Sequence, residues 1–192
     1  MSPNPALLTW PRRTGPTVIA YDTFTRADSN SSLGNLESGQ TWLNATGLFG
    51  VSSGRFYRYS YANTYQCAYL AVTGDYRVTA SRGANTGGAP MLAAAYTNTS
   101  YYVAIRNGTL EIRNAATFYS HGSTTLSAGD VLSIERIGND FTAYKNGVQF
   151  GAISAAEVSA EYYGANPPRN VGIGGPLSAG VYYWDDFLVE QI

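Results

Sequence analysis

Between residues 131 and 152 apolar and polar side chains alternate with a period of two, and two short turns cut the alternation into three runs. The turns, Gly138-Asn139 and Asn146-Gly147, are two-residue loops of the kind hairpins favour, because Gly and Asn accept a positive φ. With both turns tight, Ile137 pairs with Asp140, Ile134 with Ala143, Lys145 with Val148, and Ala143 with Phe150. One face of this meander then carries Leu132, Ile134, Phe141, Ala143, Val148 and Phe150. The other carries Ser133, Glu135, Thr142, Tyr144 and Gln149. A slip of one residue would mix the two sets, so pattern and turns specify the same register. The oily side needs a second sheet to cover it.

The same alternation recurs along the chain. It predicts strands over 18–24, 48–51, 55–61, 66–71, 76–81, 90–96, 101–105, 109–112, 171–173 and 181–189, with a long Ser-, Asn- and Gly-rich loop over 26–44 that ends near Trp42. In the last run Trp184 and Asp186 share one face, and Asp185 and Phe187 the other. The one helical pattern, 154–163, sets Glu157 and Glu161 a turn apart on a wet face. Roughly a dozen short strands with almost no helix predict an all-β, two-sheet antiparallel sandwich over residues 18–192. Residues 1–17 precede it as an extended arm, because Pro3, Pro5, Pro11 and Pro16 block helix and interior strand alike. The arm is a solvated tail, a segment folded back on its own domain, or a strap on a neighbouring subunit. In the last case Leu7, Leu8 and Trp10 are its docking groups, and Arg12 and Arg13 pair with acids on the receiving surface.

Composition narrows the chemistry. Charged residues make up 13% of the 192 and the formal net charge is −1, with no basic run. Nothing therefore points to nucleic acid or to an anionic membrane. No stretch is apolar for long enough to span a bilayer, and the N-terminus has no signal-peptide pattern. Cys67 is the only cysteine and His121 the only histidine, which removes zinc and most nucleophile machinery. Cys67 reads as a buried strand thiol, and His121, in a Gly/Ser stretch, as exposed.

Four stretches carry a family likeness: Asp22-Thr23-Phe24-Thr25-Arg26 with Ser32-Leu33-Gly34, Trp42, the hairpin 140–149, and Tyr183-Trp184-Asp185-Asp186-Phe187. Together they resemble the concanavalin A-like (laminin G-like) jelly-roll domains, in particular those of tail and other virion proteins of actinobacterial bacteriophages. The resemblance implies two antiparallel sheets with the first and last strands side by side. It also implies that many members bind glycans and others are purely structural. The chain therefore reads as a virion subunit, in the tail or as capsid decoration, that assembles with other virion subunits as a homo-oligomer, or alternatively as a glycan-binding module. The missing secretion signal puts its synthesis in the host cytoplasm. Related modules hold a structural calcium between such carboxylates, so Asp22, Asp185 and Asp186 are candidate ligands.

Glycosidases on this fold carry a pair of acids spaced two or four residues apart on one strand. That pattern is absent here, and Glu111 and Glu135 stand alone in separate strands, which predicts a non-enzyme. What remains is aromatic surface. Among the sixteen tyrosines, Tyr57, Tyr59 and Tyr61 alternate onto one face, and Tyr101 and Tyr119 join them as candidates for a glycan platform or a protein interface. The plainer reading of the same residues is that Tyr suits strands and lines their wet faces.

Overall fold

The computed structural model describes residues 15–29, 32–43, 49–58, 66–83, 90–162, 164, 166–175 and 184–192, the side chains of Tyr57 and Arg58 excepted. Within these residues fourteen strands and one helix follow in order. They are β1 (Thr17–Asp22), β2 (Phe49–Ser52), β3 (Arg55–Arg58), β4 (Gln66–Ala71), β5 (Tyr76–Arg82), β6 (Met91–Asn98), β7 (Tyr101–Arg106), β8 (Thr109–Asn114), β9 (Thr117–Ser123), β10 (Val131–Ile137), β11 (Asp140–Lys145), β12 (Val148–Ile153), α1 (Ala155–Glu161), β13 (Asn170–Gly175) and β14 (Trp184–Gln191). An eight-stranded sheet runs β12-β11-β10-β5-β14-β3-β2, with β1 also paired to β14, and a six-stranded sheet runs β4-β13-β6-β7-β8-β9. All pairings are antiparallel, and the first and last strands lie side by side. The inner faces meet in one core, with Leu132, Ile134, Phe141 and Val78 from one sheet against Val103, Ile105, Ile112 and Ile173 from the other.

The central meander follows the alternation as far as Ala143. Ile137 opposes Asp140, Ile134 opposes Ala143 and Lys145 opposes Val148. Asn146 and Gly147 both have the positive φ that their turn requires. Between Tyr144↔Gln149 and Ala143↔Gly151 the register shifts, leaving Phe150 as an extra, bulged residue. This corrects the expected Ala143–Phe150 pair. Val148 is 70% exposed, and Phe150 only packs against the margin of the core. The cause lies in the other sheet: a bulge bends its strand, and β12 here meets β9 so closely that a Cβ on Gly151 would sit 2.7 Å from the His121 carbonyl oxygen. The two sheets join along this margin.

A second bulge, at Asp186 (φ 48°), breaks the alternation of β14 between Asp185 and Phe187. Trp184, Phe187 and Val189 all reach the core as a result, whereas strict alternation would have put Trp184 and Phe187 on opposite faces. Helix α1 opens with a capping box. The Glu157 amide donates to the Ser154 hydroxyl, and the Glu157 carboxylate accepts from the Ser154 amide at 2.7 Å. Its glutamates lie on a wet face only in part, with Glu157 46% exposed and Glu161 22%, and both reach His121. Glu161 contacts His121 Nε2 at 2.6 Å and Glu157 contacts His121 Nδ1 at 3.5 Å. His121 therefore lies on β9 as a clamp for α1, only 9% exposed, and not in an open loop.

The long loop is tied down by Asp22, which is completely buried. Its Oδ1 accepts from the Phe24 amide (2.9 Å) and Arg26 (2.6 Å), and its Oδ2 from Arg26 (2.8 Å) and Trp42 Nε1 (2.7 Å). The bond to the amide holds Phe24 at φ 56°, a conformation a bulky side chain rarely takes unaided. Phe24 stacks on Trp42 at 6.3 Å, and Trp42 meets Phe187 at 4.8 Å. Residues from three of the stretches that carry the jelly-roll resemblance thus pack into one cluster.

Candidate functional site

The outer face of the eight-stranded sheet holds an open trough of about 430 Å³. Its chemistry comes from one cross-strand row. Glu135 on β10 opposes Arg77 on β5, which in turn opposes Glu190 on β14. Arg77 Nε donates to Glu135 Oε1 at 2.9 Å, and a second guanidinium nitrogen reaches the same oxygen. Tyr144 on β11 donates its hydroxyl to Glu135 Oε2 at 3.0 Å. Both oxygens of Glu135 are thereby engaged, whereas Glu190 touches Arg77 only at 4.0 Å. Burial, and then the hydrogen bond and charge of Glu135, raise the Tyr144 phenol above its ordinary range. Thr79 and Ser133 keep the floor low, and Leu188 adds apolar surface. The side chains of Glu135 and Glu190 are 18% and 19% exposed, so the row is accessible yet partly shielded from water. Carboxylates that accept, a guanidinium that donates and a phenol ring suit a polyhydroxylated ligand with apolar C–H faces.

The outer face of the six-stranded sheet is different. Tyr96, Tyr102, Arg113 and Phe118 form a row across β6, β7, β8 and β9. Tyr69 on β4 extends it, 5.4 Å from Tyr96. Tyr96 and Tyr102 are buried, and burial pushes both phenols well above their ordinary range. Beside them Glu111, 2% exposed, accepts from Tyr102 at 2.9 Å and from Arg106 at 2.9 Å. The solitary acid of the sequence reading is thus a buried partner of Arg106. Cys67 also lies on this face, and burial raises its thiol.

The candidates named from sequence fall elsewhere. Tyr101 and Tyr119 point inward and pack, half-buried, against the core, because their strand parity matches that of Val103 and Ile112; they form no outward platform. Tyr57 lies on β3, but its side chain, like Tyr59 and Tyr61, lies outside the described residues, as do Leu7, Leu8, Trp10, Arg12 and Arg13. The three aspartates do not fit calcium. Asp22 is saturated by Arg26, Trp42 and the Phe24 amide, and Asp185 pairs with Arg55 at 3.1 Å. Asp186 occupies the exposed bulge. Among the described residues no group of three or more His, Cys, Asp or Glu side chains could hold a metal ion, and no helix is long and apolar enough to cross a membrane. Sequence reasoning missed Arg77 and Glu190. Their signal was the matching outward parity of oppositely charged residues in separate strands, which only the strand order brings together.

No family model matches the chain, and no curated protein sequence does. Solved structures do. An endo-β-1,3-glucanase from Pyrococcus furiosus superposes with a TM-score of 0.54 at 10% identity, over 92% of this chain and 94% of the enzyme. Trypanosoma rangeli sialidase superposes at 0.57 with 11% identity over 90% of this chain, which spans only 30% of the sialidase. The fold is a concanavalin-like jelly roll. A looser match, TM-score 0.46 at 12% identity, is the CBM2 module of the Lactobacillus casei BL23 phage J-1 evolved Dit, over 92% of this chain and 96% of the module. At these identities the likeness is one of fold. It nevertheless corrects the expectation of a non-enzyme, since the concanavalin-like sandwich is shared, at nearly the full length of the chain, with an enzyme that acts on carbohydrate. The missing single-strand acid pair does not exclude catalysis, and Glu135 and Glu190 show two acids reaching one depression from different strands.

Proposed function

We propose that this protein is a carbohydrate-binding domain that takes its ligand in the trough between Tyr144 and Glu190. The observation that carries this reading is the row Glu135–Arg77–Glu190 with Tyr144 beside it, in the open trough described above. Hydroxyls of a sugar bridge Arg77 and the loosely held Glu190, while Tyr144 and Leu188 take its C–H faces. The test is a glycan screen with the full chain, repeated with Glu190→Gln and Tyr144→Ala. The expected result is a loss of about tenfold or more in affinity at unchanged melting temperature, as one charge-assisted hydrogen bond or one stacked ring is removed. Equal affinity in both variants would overturn the site. Reducing-end release from the bound glycan, abolished by Glu135→Gln and by Glu190→Gln, would make the domain a hydrolase.

The setting we propose is a virion, with the protein as a tail or capsid-decoration subunit that joins other virion subunits through residues 1–17. Support comes from the convergence of Asp22, Phe24, Arg26, Trp42 and Phe187, residues of the phage-like resemblance, in one cluster. Deleting residues 1–17 then leaves the sandwich folded and lowers incorporation into particles. Normal incorporation of the truncated protein sinks the assembly role of the arm.

A further inference from the structure

We propose that the six-stranded sheet carries a second binding site, separate from the trough, for a carboxylated sugar, built on Arg113 and Phe118. These two residues oppose each other on β8 and β9 at the end of the Tyr96–Tyr102 row. The Arg113 guanidinium lies 4.9 Å from the Phe118 ring centroid and 5.9 Å from that of Tyr102. Its Nε donates to the Ala115 carbonyl at 3.0 Å, which fixes the inner edge of the group. That is its one hydrogen bond among the described residues, so both terminal NH2 groups are left as a fork. Phe118 is 44% exposed, on the last strand of its sheet.

Charge singles out Arg113. Arg106 also lies over Phe118, at 4.8 Å, but its charge is taken up by both oxygens of Glu111. Arg113 has no such carboxylate, and its uncompensated positive charge stands beside the part-exposed Phe118. A guanidinium fork matches a planar carboxylate in two parallel hydrogen bonds. Stacking against the rings holds the guanidinium before any ligand arrives and lowers the ordering cost of that match. The part of Phe118 left exposed beside the two guanidinium groups offers apolar surface for C–H groups of a pyranose. A simple inorganic anion would leave Phe118 unused, and a neutral sugar would leave Arg113 unpaired. A hexuronic acid unit uses both.

The test is an NMR titration of the isotope-labelled full chain with three probes: trigalacturonic acid, its methyl ester and sodium sulfate. Trigalacturonic acid should shift amides of β8 and β9 saturably, and both other probes should bind about tenfold more weakly or worse, having lost the bidentate pair or the ring contact. Arg113→Gln should lose the response. Arg113→Lys, which keeps the charge without the fork, should weaken binding about tenfold at an unchanged melting temperature and reads the same point if the glutamine variant does not fold. Phe118→Ala should weaken binding about fivefold, while Glu190→Gln leaves it unchanged. Equal affinity for the ester or for sulfate, full affinity in Arg113→Lys, or a loss in Glu190→Gln would each overturn the proposal. Because the trough variants and the Arg113 variants are read separately, either site can fail without the other.

Discussion

Both sheets set glutamate, arginine and tyrosine together on their outer faces, and the two clusters do opposite things. On the eight-stranded sheet Arg77 is 37% exposed between Glu135 and Glu190, and a ligand hydroxyl can replace part of the contact to Glu190. On the six-stranded sheet Glu111 and Tyr102 are almost wholly buried, and the pair with Arg106 closes on itself. The residue types are the same; the burial differs. A charged group that keeps water on one side can exchange partners at little cost, whereas a buried one must keep those it has. The first cluster is therefore available for recognition. The second is structural, and only its rim at Arg113 and Phe118 remains open.

Tyrosine truncation is the strongest way to break this comparison. Tyr102→Ala should cost about 3–5 kcal/mol, as expected for a fully buried aromatic, whereas Tyr144→Ala should cost no more than about 1 kcal/mol, in the range of surface substitutions that lose one hydrogen bond. Denaturant midpoints measure both, and equal shifts would erase the distinction between the faces. Next come the acids. Glu111→Gln should destabilise by about 1–3 kcal/mol, because Arg106 and the Tyr102 hydroxyl lose a charged acceptor inside the protein. Glu190→Gln should stay within about 1 kcal/mol, since its ion pair is long and solvated. A larger loss from Glu190→Gln would mean that the trough is a structural ion network.

The smallest effect concerns a carboxylate on neither face. The Ser154 amide, then the Ser154 hydroxyl and the nearby His121 hold Glu157 below its ordinary range. A depressed folded value means that the stabilisation is present above the unfolded carboxylate range and is lost as pH falls through the folded value. Glu157→Gln should therefore melt below the parent at neutral pH, with the two curves converging in acid. Parallel curves down to the lowest pH would show that the capping box contributes nothing through its charge.

The parts of the fold visible in the sequence are those governed by local rules. Period-two alternation with the Gly138-Asn139 and Asn146-Gly147 turns gave the β10–β12 meander, and the helical pattern over 154–163 gave α1. The bulges at Phe150 and Asp186 were invisible because they answer to other strands: the approach of β9 to β12 at Gly151, and the pairing of β14 with β5. The site fared similarly. Glu135 and Tyr144 fell on the correct wet face, but Arg77 and Glu190 join them only through pairings between distant strands. His121 was misjudged for the same reason, since its partners come from α1. The tyrosine row was missed because Tyr69, Tyr96 and Tyr102 sit one to a strand, while the eye is drawn to alternation within one strand.

Thr17, at the start of β1, pairs with Gln191, at the end of β14. Tension applied through the two ends of this domain would load the hydrogen bonds between these strands singly, as in opening a zipper, and not all at once in shear. Such peeling would have to break the bonds from Gln40 to Ile19 and between Ser38 and Tyr21 before it reaches Asp22, opposite Phe187. There the buried carboxylate, Arg26 and Trp42 would have to part together. The same clamp that orders the long loop is thus placed to act as a mechanical stop.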